Sequence, residues 1–185
     1  MEKRYCAFLR GVNVNGTSMK MDALKAAFSE MGFTNTQTVL ASGNVIFYLS
    51  EEDPREQELK AYIESGLGKY FLYDAHVFIR GDKELQDMLA AAQTVPVPEG
   101  CHHYILICDE REVLMNLRLL FDSMPHEPDE QLILHSCGAF WIVPKGSTLD
   151  SEFGSKVLGS RQYKSLLTSR NMNTIQKILR AMINK

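Results

Sequence analysis

Thr36-Gln-Thr-Val-Leu40 and Val45-Ile-Phe-Tyr-Leu49, joined by Ala41-Ser42-Gly43-Asn44, decide the fold. The flanks are rich in β-branched and aromatic residues and the four between them are turn formers, so the stretch reads as a hairpin. Its two strands must run antiparallel, which argues against the parallel sheet of a doubly wound nucleotide-binding domain. On the N-terminal side, Tyr5 to Arg10 is strand-like, and Met21, Leu24, Phe28 and Met31 mark one face of a helix that Gly32 ends. On the other side, Asp53-Pro54-Arg55-Glu56 supplies a cap and an N1 proline for a helix carrying Leu59, Ile63 and Leu67. A strand at His76 to Ile79 completes the order βαββαβ, which suggests a split βαβ, ferredoxin-like unit.

After a helix at about Asp82 to Ala92, Val95-Pro96-Val97-Pro98-Glu99-Gly100 reads as a linker. The pattern then restarts. Tyr104 to Cys108 is a strand, Val113, Leu114, Leu117, Leu120 and Phe121 line a helix, and Leu132-Ile-Leu134 pairs with Phe140-Trp-Ile-Val143 across Ser136-Cys137-Gly138. From opening tyrosine to hairpin glycine the spacing is 38 positions for Tyr5 to Gly43 and 34 for Tyr104 to Gly138. The expectation is an α+β chain of two ferredoxin-like repeats with antiparallel sheets, superposing Gly43 on Gly138. Residues 1–95 form the first unit and 101–185 the second, with a C-terminal amphipathic helix striped by Ile175, Ile178, Leu179, Met182 and Ile183.

Composition narrows the function. A chain of 185 residues that is 45% hydrophobic and 23% charged can bury real cores. No apolar run approaches the roughly 20 residues needed to span a bilayer, and the N-terminus does not read as a signal peptide, so the protein is expected in the cytoplasm and not at a membrane. Cys6, Cys101, Cys108 and Cys137 form no C-x-x-C pair and read as reduced thiols. A formal net charge of -3 argues against indiscriminate polyanion binding, leaving room for a local basic patch. Oligomeric state is not readable.

The most chemically suggestive segment is Arg10-Gly-Val-Asn13-Val-Asn15-Gly16, a polar loop between a strand and a helix. Its glycines allow a tight turn with N–H groups near a ligand, and its arginine and asparagines offer donors to an anion or a base edge. Local turn chemistry is the plainer account of the same asparagines. In the βαββ topology the strand-two to strand-three turn lies where strand one ends, so Ser42-Gly43-Asn44 should flank this loop. A third polar segment, Thr168-Ser169-Arg170-Asn171-Met172-Asn173-Thr174, precedes the C-terminal helix. Asn171 suits its N-cap, and Arg170 beside the positive end of a helix dipole suits an anion, although an ordinary surface arginine would look the same.

Other motifs give less. Gly11 to Ser18 mimics a phosphate-binding P-loop but has Thr17 where lysine is needed. Cys101-His102-His103 invites a metal, yet successive residues of an extended segment face opposite ways, so no metal or cofactor is expected. His76, His126 and His135 are scattered and flank no nucleophile signature. Lys156, Arg161 and Lys164 read as a solvated face, and Tyr163 and Trp141 are the stacking candidates, with core the better account of Trp141.

Arg10-Gly-Val-Asn-Val-x-Gly16, Met21-x-x-Leu24, Gly32-Phe33, Ser42-Gly-Asn-Val45 and Thr168-Ser-Arg-Asn-x-Asn-Thr174 together resemble the bacterial family known as domain of unknown function 1697. The family pattern has two glycines where this chain has Asn15-Gly16, and tryptophan where it has Met172. The resemblance implies an α+β fold of ferredoxin-like repeats and no established activity. The sequence thus favours a binding protein for a phosphate-bearing small molecule or nucleic acid, through Arg10, Asn13, Asn15, Gly16, Ser42, Asn44, Ser169, Arg170, Asn171 and Asn173. An enzyme acting on a small anionic substrate there, or an interaction module without ligand, are the alternatives. Acid–base catalysis needs a titratable group, and these motifs supply none.

Overall fold

The computed structural model describes residues 2–12, 19–50 and 58–183. Asn13, Asn15, Gly16 and the Asp53 to Glu56 cap lie outside the described residues. The first repeat runs β1 (Glu2–Arg10), α1 (Met21–Glu30), β2 (Thr34–Thr38), β3 (Asn44–Ser50), α2 (Leu59–Phe71), β4 (His76–Gly81) and α3 (Asp82–Gln93). The second runs β5 (Cys101–Cys108), α4 (Arg111–Asp122), β6 (Gln131–His135), β7 (Gly138–Pro144), α5 (Glu152–Val157), β8 (Leu167–Asn171) and α6 (Met172–Ile183). Each forms a four-stranded sheet with antiparallel pairing throughout, ordered β2-β3-β1-β4 and β6-β7-β5-β8. The same order twice marks an internal duplication in an α+β protein.

Alternation in the strands builds each core. On one face of the first sheet Ala7, Leu9, Val45, Phe47 and Val77 are buried with Leu24, Phe28, Ile63 and Leu67 from the helices. Phe28, Phe33 and Phe47 pack ring to ring, with centroids 4.6 to 5.7 Å apart. In the second unit Leu106, Trp141 and Leu167 meet Leu117, Phe121 and Phe153. The two repeats agree down to an aromatic stack: Tyr5 lies on Phe47 at 5.7 Å, and Tyr104 on Trp141 at 5.5 Å. Trp141 is wholly buried and donates from Nε1 to Glu130 Oε1 at 3.0 Å, so it is a core residue.

The paired registers correct the expected superposition by one residue. Tyr5 opposes Phe47 and Tyr104 opposes Trp141, so following each ladder to its turn puts Asn44 in the place of Gly138 and Gly43 in that of Cys137. Counting between glycines assumes equal turns, but the first turn is the longer. β2 ends at Thr38, and Leu40, expected in the strand, is exposed with φ +59° in the turn.

Two elements have no signal in the sequence pattern. β8 has a single apolar residue, Leu167, in five, yet it pairs with β5 along its whole length. The segment Ser169 to Asn171 is therefore the end of a strand, not a loop before a helix. α5 spans six residues and carries Gly154 in its middle, where helix propensity is poor. Gly154 is required there, since a Cβ would come within 1.9 Å of the Thr148 carbonyl oxygen and 2.9 Å of Trp141 Cη2.

The compact units are Met1–Leu85 with Lys177–Lys185, and Gln86–Gln176. Each division falls inside a helix, α3 or α6. In the second unit, a Cβ on Gly138 would approach Met88 Cε to 3.2 Å, which places α3 on that sheet. In the first, Arg4 Nη1 donates to the Met182 carbonyl at 3.0 Å, occupying one of the acceptors that the end of α6 leaves open.

His103, on β5, is buried edge-on against Phe140, and neither ring nitrogen has a hydrogen-bond partner. Burial pushes its pKa below the ordinary value. The unfolded chain therefore takes up this proton more readily, so the neutral ring's contribution is kept above about pH 6.5 and lost as pH falls through that value. Replacing His103 with leucine should remove this part of the acid sensitivity. Urea midpoints at pH 7.5 and 5.5 check it; an equal drop in both proteins would place the sensitivity elsewhere.

Candidate functional site

The end of β1 and the β2–β3 turn are built as one piece. Leu9 N–H donates to the Gly43 carbonyl at 2.8 Å, and Val39 N–H to that of Asn44 at 2.9 Å. Gly43 has φ +71°, and a Cβ on it would lie 2.3 Å from Val12 Cγ2, so only glycine lets the chain beyond Arg10 press onto the turn. Gly11, with φ +80°, makes the departure from β1 possible. The expected adjacency of the Arg10 segment and Ser42 to Asn44 thus holds in the first unit.

Within that turn the polar side chains divide their work. Asn44 is fully buried, and Nδ2 donates to the Val39 carbonyl at 2.8 Å and to Ser42 Oγ at 2.9 Å. Both its donor hydrogens are committed to closing the hairpin. Arg10 is half-buried at the strand end, and burial lowers its pKa. A guanidinium so deprived of water remains charged and gains more from an anion than a fully solvated one would.

Arg10 pairs directly with His76 in the β1–β4 ladder. Opposed residues of antiparallel strands project from the same face, with Cβ atoms about 5 Å apart. His76 Nε2 is 2.9 Å from Asp74 Oδ2, with the imidazole largely covered and the carboxylate exposed. The site therefore contains the histidine and the carboxylate that its motifs lack. The sequence offers no signal for this, because the partner of Arg10 is set by a pairing between strands distant in the chain. In the second repeat, where Tyr104 opposes Asn171 as Tyr5 opposes Gly81, the equivalent positions are Asp109, Leu166 and Lys164. The Arg10, His76 and Asp74 combination belongs to the first unit alone.

The remaining candidates, Ser169, Arg170, Asn171 and Asn173, lie in the second unit. Asn171 Oδ1 accepts from Asn173 N–H at 3.0 Å, which is the expected N-cap of α6. Arg170 is buried on β8, and its Nη1 donates to Thr168 Oγ1 and to the Ser169 carbonyl, both at 2.8 Å. It faces Ile105, as Arg80 faces Cys6 in the first repeat, and Arg80 Nη1 likewise donates to the preceding carbonyl, at 2.6 Å from Ile79. An arginine at this position recurs with the repeat.

His102 rests against Tyr104 and His103 against Phe140, from successive positions of one strand. Among the described residues no group of three His, Cys, Asp or Glu side chains could hold a metal ion. All four cysteines are free thiols. No helix among the described residues is long and apolar enough to cross a membrane.

The family model described as Protein of unknown function (DUF1697) matches residues 2–133. No curated protein matches the chain. Among solved structures, conserved bacterial protein SP0830 from Streptococcus pneumoniae is similar over 100% of both chains, at 20% identity and a TM-score of 0.76. At that identity the likeness is one of fold.

Proposed function

Since this chain belongs to the DUF1697 family of proteins of unknown function, its role rests on the site itself, and we propose that it is a cytoplasmic protein binding a phosphate-bearing ligand through Arg10. Ser42, in the turn built onto the same strand end, is the proposed second contributor. The observation that carries this reading is the half-buried guanidinium at a strand end, beside a glycine turn pressed against its own strand. A guanidinium at a covered strand end can offer an anionic group charge-assisted, bidentate hydrogen bonds.

Arg10→Ala tests it. Such bonds are worth roughly 1.5 to 3 kcal/mol, so affinity for the anion should fall by about tenfold or more. Titration with inorganic phosphate, mononucleotides and short single-stranded oligonucleotides, followed by calorimetry and by melting temperature, gives the readout. If no anion raises the melting temperature of the unmodified protein and none binds, Arg10 is part of the scaffold and the reading fails.

A further inference from the structure

Arg10 accounts for the anionic part of a ligand, but the group opposite it has different chemistry. Asp74 is acceptor-only when ionised, so the hydrogen in the 2.9 Å contact with His76 belongs to Nε2. In the neutral ring this fixes the tautomer and leaves Nδ1 as an acceptor. An acceptor has nothing to offer a phosphate oxygen that carries no proton. It does suit a hydroxyl. The ladder puts this acceptor on the face that bears Arg10, one strand away.

We infer that the ligand of the Arg10 site is a hydroxylated phosphate, such as a sugar or polyol phosphate, whose phosphate meets Arg10 and whose hydroxyl donates to His76 Nδ1. The inference rests on the Arg10 reading and adds to it the class of ligand. His76 is held in the required tautomer by Asp74, whose side chain is exposed. The second repeat keeps the same strands without the pair: Leu166 and Lys164 occupy these places. The fold is therefore made without them.

The test compares glycerol 1-phosphate with propyl phosphate, which share a phosphate and a three-carbon chain and differ in the hydroxyls. Binding to the whole protein is measured at pH 8. Glycerol 1-phosphate should bind about tenfold more tightly, the difference expected when a ligand hydroxyl leaves a hydrogen bond unmade. In Asp74→Asn the amide can donate to Nε2 and move the ring hydrogen to Nδ1, so the preference should shrink towards one even if both phosphates bind more tightly once the nearby negative charge is gone. His76→Ala should do the same. Circular dichroism confirms that both variants fold, and Asp74→Asn, altering an exposed residue, keeps the test open if His76→Ala does not. Equal binding of the two phosphates by the unmodified protein overturns the inference and leaves the Arg10 reading standing. So does a preference that survives in a folded Asp74→Asn protein. Failure of both compounds and of inorganic phosphate to bind removes the Arg10 reading, and this inference with it.

Discussion

Phe47→Ala should cost the first unit about 3 to 5 kcal/mol, the range for removing a buried phenylalanine from a packed core. Phe47 has no exposed surface, and four rings rest on one another there: Phe28 at 5.6 Å, Phe33 at 4.6 Å and Tyr5 at 5.7 Å from it. The strand is central in its sheet, between β2 and β1, so the surrounding backbone has little room to collapse into the void. The measurement is the urea midpoint by circular dichroism, with Phe47→Leu as the partner variant. Leucine should recover much of the loss. A loss below about 1 kcal/mol for alanine would mean that the cluster relaxes around the vacancy, against close packing in this sheet.

Gly154→Ala comes next in size and acts by the opposite route, adding an atom instead of removing several. The new methyl would meet the Thr148 carbonyl oxygen at 1.9 Å, and backbone cannot rotate aside as a side chain can. Ser151 caps the helix through Oγ on the Gly154 N–H at 2.9 Å, tying the same turn from the other side. Overpacking of this kind costs about 1 to 3 kcal/mol or more. Trp141 is the only tryptophan in the chain and its ring is the next neighbour, so its fluorescence reports the change locally. An unmoved emission maximum together with an unchanged midpoint would contradict the packing described around α5.

The readable parts of the sequence are those whose structure is decided nearby. The β2–β3 hairpin announces itself because its turn needs Gly43 and Asn44 within a few residues of both strands. The helices α1 and α4 do so because their buried residues recur at helical spacing. β8 is unreadable for a physical reason: Thr168 and Arg170 are buried polar residues whose hydrogen bonds are satisfied inside the fold. A pattern based on hydrophobicity cannot mark such a strand. The Arg10 segment can be singled out by its chemistry, whereas His76 acquires its place from the register of two strands far apart in the chain. The family pattern joins Ser42 and Arg170 in one set of motifs, and each makes hydrogen bonds to groups near it in sequence. Ser42 accepts from the hairpin asparagine, and Arg170 bonds along its own strand.

The division of the units inside α3 and α6 bears on how the protein is made. Lys177 to Ile183, which carries the buried Ile178, Leu179 and Met182, is synthesised after the whole of the second sheet, yet it belongs with the first. Domains whose segments are contiguous can settle in order as they leave the ribosome. Here the earliest strands must wait, with Arg4 unable to reach the Met182 carbonyl until that residue has been added. The first unit is begun first and finished last, so an arrested nascent chain lacking α6 should expose apolar surface to chaperones even after its second sheet has formed.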